Sequence, residues 1–148
     1  MIHDVAVRKL KIFADHRGQV MHMMRADAAH FDRFGEIYFS TVNPGVVKAW
    51  KRHREMTLNL AVPMGKIRLV LADLREGSPS YDNILKLDVG EDNYCLVTIP
   101  PGIWSGFKGV SNTSAIVANC ATNPHDPEEV EQIPFDSSRI PYRWDSDE

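Results

Sequence analysis

The sequence predicts an all-β sandwich or barrel. Three observations predict it: short runs rich in β-branched and aromatic residues recur along the chain, Gly/Pro/Asn/Asp signals separate them, and helical periodicity is weak. The first run, 5–13, alternates Val5, Val7 and Leu10 with the charges of Arg8 and Lys9. Residues 26–34 make the best short helix. Strands are then predicted over 36–42 (EIYFSTV), 46–50, 56–62, 67–72, 84–89, 94–99 and 115–120. Their punctuation is Asn43-Pro44-Gly45, Pro63-Met64-Gly65, Glu76-Gly77-Ser78-Pro79, Gly90-Glu91-Asp92-Asn93 and Pro100-Pro101-Gly102. One helical turn is expected near Asp126-Pro127-Glu128-Glu129, where an Asp precedes a proline and two acids follow. The acidic tail 145–148 reads as frayed.

Composition narrows the function. A chain of 148 residues with 43% hydrophobic and 25% charged residues fits one folded domain, 1–148, with a sizeable core. The net charge of −3, from 17 basic and 20 acidic residues, is no footprint for nucleic acid. No apolar run approaches the length of a membrane span, and the first residues lack a signal-peptide core. Cys95 and Cys120 are expected to be packed and reduced, which points to the cytoplasm.

A glycine followed by a strand with a polar-x-His pair, then a second glycine after another strand, is the skeleton of a cupin jelly roll. Here it reads Gly45, Lys51-Arg52-His53 and Gly65, with Pro100-Pro101-Gly102-Ile103-Trp104-Ser105 as the second half. Side chains at i and i+2 of a strand share a face, so Lys51 and His53 are both expected to point into the barrel. In metal cupins the ligand positions would be Lys51, Thr57 or Leu58, and Ser105. A protonated lysine repels a cation and one histidine cannot hold it alone, so neither a metal nor another cofactor is expected.

The chain resembles the sugar-nucleotide epimerases related to dTDP-4-dehydrorhamnose 3,5-epimerase, which are metal-free cupins. The resemblance runs from about Lys9 to Trp144. It is carried by Asp15-His16-Arg17-Gly18, by Pro44 to Trp50 (PGVVKAW), by Asp73 to Pro79 (DLREGSP), by Ile99 to Phe107 (IPPGIWSGF) and by the closing Ile140-Pro141-Tyr142-Arg143-Trp144. It implies two antiparallel sheets with short marginal helices, and a homodimer in which the N-terminal strand pairs with the partner's sheet. It also implies a catalytic His where this chain has Lys51, a Lys and an Asp where it has Leu58 and Leu69, and a Tyr acid near Pro124 or His125. The family's His in the Pro-x-Gly segment is Ser105 here. Arg17 and a cation at Lys48 are kept, in positions that would face a diphosphate.

Epimerising a carbon beside a ketone needs a base on one face, an acid on the other, and a donor to the developing enolate. His53 is the candidate base and His125 the candidate acid. Lys51 is placed to lower the pKa of a neighbouring imidazole and to hold the enolate oxygen. Tyr38, Asn59 and Ser105 are candidate substrate contacts with Arg17 and Lys48. Trp50, Trp104 and Phe107 read as core, and Met21, Met23 and Met24 as packing. The expected activity is metal-independent epimerisation or isomerisation of a nucleotide-linked 4-keto-deoxysugar, for deoxysugar or surface-polysaccharide synthesis. Two alternatives stand beside it: a sugar 3,4-ketoisomerase, whose His-x-His-Lys segment corresponds to Lys51-Arg52-His53-Arg54, and an inert sugar-nucleotide binding module.

Overall fold

The computed structural model describes residues 1–146. Its strands are β1 (Ala6–Lys9), β2 (Ile12–Asp15), β3 (Gly18–Met21), β4 (Glu36–Val42), β5 (Val47–His53), β6 (Leu58–Met64), β7 (Lys66–Asp73), β8 (Ile84–Gly90), β9 (Cys95–Ile99), β10 (Ile103–Gly109), β11 (Ala115–Ala121) and β12 (Val130–Gln132). One sheet has the order β1-β9-β6-β11-β4, a second β12-β5-β10-β7-β8, and β2-β3 form a separate hairpin. Every strand pair within these sheets is antiparallel.

The two five-stranded sheets face each other because their inner residues are apolar. Leu58, Leu60, Val62, Val97, Ile99 and Val117 from one sheet meet Ile67, Leu69, Leu71, Val89 and Ile103 from the other. Strand β7 is buried on both sides, because its other face packs Val70 and Ala72 against a second cluster. There Trp50 and Trp104 pack against Ile140, Tyr142 and Trp144 of the C-terminal segment. The Trp50 indole N–H donates to the Phe135 carbonyl at 3.2 Å, so the tryptophans read from sequence as core are core. Cys95 and Cys120 are buried free thiols, and burial pushes both thiols up in pKa.

Two local devices hold the frame. Gly65 turns β6 into β7 with φ of +78°, and a Cβ there would lie 2.7 Å from the Ala115 Cα. Asp73, fully buried at the end of β7, accepts hydrogen bonds from the Arg75 guanidinium and from the Ser78 and Ser80 hydroxyls. Burial works to raise its carboxyl, but these bonds outweigh it and hold it far below the usual carboxylate range. The Asp73 to Pro79 landmark is thus a structural knot.

Several expectations need correction. Residues 26–34 form turns rather than a helix, with only i-to-i+3 contacts such as Phe31 N–H to the Ala28 carbonyl at 3.0 Å. So short a segment needs a buried apolar face to repay nucleation, and Phe34 is exposed. The predicted N-terminal strand divides into β1, which pairs with β9 of its own chain, and β2, which leaves to join β3. Strand β10 was hidden by its two glycines and the preceding Pro-Pro-Gly. Of the tail, Trp144–Ser146 is a 3-10 turn, and residues 147 and 148 lie outside the described ones. Among the described residues no helix is long and apolar enough to cross a membrane.

Candidate active site

A cavity of about 260 Å³ opens between the sheets at the β4–β5 end. One wall is built by Tyr38 and Ser40 of β4, Leu58 and Leu60 of β6, and Val117 and Asn119 of β11. The facing wall carries Lys48, Lys51 and His53 of β5, Ser105 and Phe107 of β10, and Gln132 of β12. A second hollow continues from it, sharing Tyr38, Lys51, His53 and Gln132 and adding Glu36, Met56 and His125.

Strand register explains these positions. Lys51 is paired with Ser105 on one side and Gln132 on the other, so the three form a row across the second sheet. Tyr38 pairs with Asn119, and Asn119 with Leu60, giving a matching row on the first sheet. Between Ser105 and Gly106 the register slips, leaving Trp50 of β5 as an extra residue. The alternation of β5 shifts there, so Lys48 faces the cavity as Lys51 does, although they are three residues apart. Arg52 and Arg54 point the other way, to Glu131, and Arg52 also lies over the Trp104 ring at 4.6 Å. The basic run 51–54 therefore divides by pleat into two cavity residues and two outer ones.

His53 is buried, and its Nδ1–H donates to Glu129 Oε1. The carboxylate only accepts, so Nδ1 carries the proton of this bond and Nε2 is the ring nitrogen not committed to it. Glu129 Oε2 is held by the backbone amides of Glu55 at 3.1 Å and Met56 at 3.2 Å. Burial works to raise the Glu129 carboxyl. The bonds from His53 and the two amides prevail and hold it below the usual range. The pair has the form of an oriented general base.

Lys51 is exposed to the cavity, and its ammonium makes no hydrogen bond among the described residues. Lys48 donates to the Ser40 hydroxyl at 2.9 Å and the Thr41 carbonyl at 2.8 Å, tying the two sheets together at the cavity mouth. Asn119 is buried; its Oδ1 accepts from the Asn59 amide at 3.0 Å, and its Nδ2 donates to the Tyr38 hydroxyl at 3.0 Å. Among the described residues no group of three or more His, Cys, Asp or Glu could hold a metal ion.

The structure brings together His53, Lys51, Lys48, Tyr38 and Ser105, with His125 exposed beside the second hollow. Two expected contacts lie elsewhere. The Asn59 amide is spent within its sheet, donating to the Cys120 carbonyl and accepting from Thr98, so it supports the wall without lining it. Arg17 sits on the β2–β3 hairpin, exposed and paired with Asp15, away from this cavity. Leu58 lines the cavity, whereas Leu69 is core. Three residues escaped the sequence reading. Asn119 had the same signal as Asn59, an amide inside an apolar strand, and was passed over, whereas Gln132 sits on a short strand with no distinguishing signal. Glu129 had one in its Asp-Pro turn, which was read as helix-start chemistry but serves to aim the carboxylate into β5.

Paired antiparallel sheets around a cavity of mixed polar and apolar lining, with a buried imidazole–carboxylate pair at its wall, define a cupin jelly roll with the groups for acid–base chemistry. The chain belongs to the family described as dTDP-4-dehydrorhamnose 3,5-epimerase, whose model matches residues 1–148. It is thereby a sugar-nucleotide epimerase by family. The crystal structure of dTDP sugar isomerase from Desulfovibrio desulfuricans G20 superimposes with a TM-score of 0.97 at 43% identity, covering 99% of this chain and 94% of that one. The "probable low-salt glycan biosynthesis epimerase Agl13" of Haloferax volcanii is 38% identical over 99% of this chain and 96% of its own length. The spore coat polysaccharide biosynthesis protein SpsL of Bacillus subtilis is 33% identical, covering 99% of each.

Proposed function

We propose that the protein epimerises a nucleotide-linked 4-keto-deoxysugar, in the synthesis of a deoxysugar or a surface glycan. The observation that carries this reading is the His53–Glu129 pair, buried at the cavity with one ring nitrogen committed and the other free. His53 takes the proton from the carbon beside the ketone, and Glu129 positions the ring and balances the imidazolium. Lys51, two residues away on the same face, donates to the enolate oxygen. Lys48 and Ser105 contact the nucleotide-linked sugar. The names of the similar proteins, which include glycan and spore coat polysaccharide biosynthesis, support the pathway class.

Arg17 lies outside the cavity of its own chain, so it serves the diphosphate only from a second copy. A homodimer fits two further features. Ile12, Phe13 and Val20 are exposed on the hairpin, and Phe34, just before β4, and Ile37 and Phe39, on β4 itself, are exposed along that edge strand. Since β1 is paired within its own chain, the β2–β3 hairpin of one protomer is the segment that would lie on the partner's sheet. The reduced, buried Cys95 and Cys120 suit the cytoplasm, where nucleotide sugars are handled.

The test is incubation with dTDP-4-keto-6-deoxyglucose in D2O, followed by NMR. Deuterium at C3 or C5 with inverted configuration is the expected result. A ketone moved to C3 would make the protein a ketoisomerase, and saturable binding without label would make it an inert binding module.

A further inference from the structure

The base stands on one sheet, and inversion requires a proton from the opposite side. His53 and Lys51 are both on β5, so neither reaches the far face of a sugar lying between the sheets. His125 is exposed and borders only the second hollow. The facing wall, among the described residues, offers one phenol, Tyr38, and its Ser40 hydroxyl already accepts from Lys48.

The hydrogen-bond polarity around Tyr38 is fixed from behind. The Asn59 backbone N–H can bond only to an acceptor, so the Asn119 atom facing it is the amide oxygen. The NH2 of Asn119 must then face Tyr38, and it donates to the phenol oxygen. That oxygen thus receives a bond at its back, while its own O–H is left to point into the cavity. Glu36, next but one along β4, borders the second hollow and not the main cavity.

We propose that Tyr38 is the proton donor of the reaction, aimed by Asn119; this rests on the epimerase reading above. The C–H bond beside the ketone breaks, its proton goes to His53 Nε2, and its electron pair moves into the enolate. The enolate pair then forms a new C–H bond on the opposite face with the Tyr38 O–H proton, leaving phenolate. Water reprotonates the phenolate and takes the proton from the imidazolium, so no oxidant or further reactant is needed.

The test separates exchange from inversion, using dTDP-4-keto-6-deoxyglucose in D2O. If the wild type shows neither exchange nor inversion, the epimerase reading itself fails. Given an active wild type, Tyr38→Phe is expected to lose inverted product by about 100-fold or more while label still enters with retained configuration at near the wild-type rate. Asn119→Asp keeps the acceptor for the Asn59 amide but turns the phenol proton back onto its carboxylate. It is expected to show the same split, and His125→Ala is expected to invert normally. Inversion at the wild-type rate in Tyr38→Phe overturns the proposal. So does an equal fall of exchange and inversion with dTDP binding intact, because Tyr38 would then act before carbon deprotonation.

Discussion

In the reaction proposed above, His53 and Glu129 divide the work of a base between a ring that lines the cavity and a carboxylate behind it. Glu129→Gln keeps the volume and leaves its amide oxygen to accept from the backbone N–H groups of Glu55 and Met56, but it turns an NH2 to His53 Nδ1, where an acceptor is needed, and it no longer balances an imidazolium. The expected result is a fall in kcat of about 100-fold with KM changed only a few-fold, measured by steady-state epimerisation. A merely structural role would move both constants or neither. The same carboxyl makes a pH statement. Its folded pKa lies below the ordinary value of 4.5, so the stability it contributes is complete above that pH and is lost as pH falls through the depressed value. Unfolding midpoints of wild type and Glu129→Gln should therefore converge in acid, and a constant gap through that range would contradict the assignment.

At the scale of elements, the site depends on two strands being held from behind. Strands β5 and β10 carry Lys51, His53 and Ser105 on one face, and Trp50 and Trp104 under the C-terminal segment on the other. Trp144 packs on Trp50 with ring centroids 5.2 Å apart and on Tyr142 at 4.9 Å. Trp144→Ala is expected to cost about 3–5 kcal/mol by denaturant unfolding, since little can collapse into the space. Most of this architecture was legible in the sequence, because the period-2 signal survives wherever a strand has one wet and one dry face. Strand β4 was read with its observed limits, and the inward pairing of Lys51 and His53 followed from spacing alone. Strand β10 was not legible, because glycines at 106 and 109 erase the alternation. The inward turn of Lys48 was not legible in the strand alternation, since it depends on a register slip between two strands, and was expected only from the family resemblance. Glu129 depends on a contact spanning 76 residues, which local pattern cannot carry.

At the scale of the molecule, the homodimer proposed above would account both for a cavity that lacks Arg17 and for a surface that exposes Phe34, Ile37 and Phe39. Sedimentation of the wild type is expected to give twice the chain mass, and Phe39→Lys to shift it toward the monomer. A wild type that stays monomeric at micromolar concentration would remove Arg17 from the site. The central claim is narrower, namely that a proton leaves the sugar through His53. It is tested most directly by the rate at which deuterium enters dTDP-4-keto-6-deoxyglucose with His53→Asn, at an enzyme concentration where dTDP binding is retained. The account predicts a loss of at least about 100-fold against wild type. Exchange at the wild-type rate would contradict it.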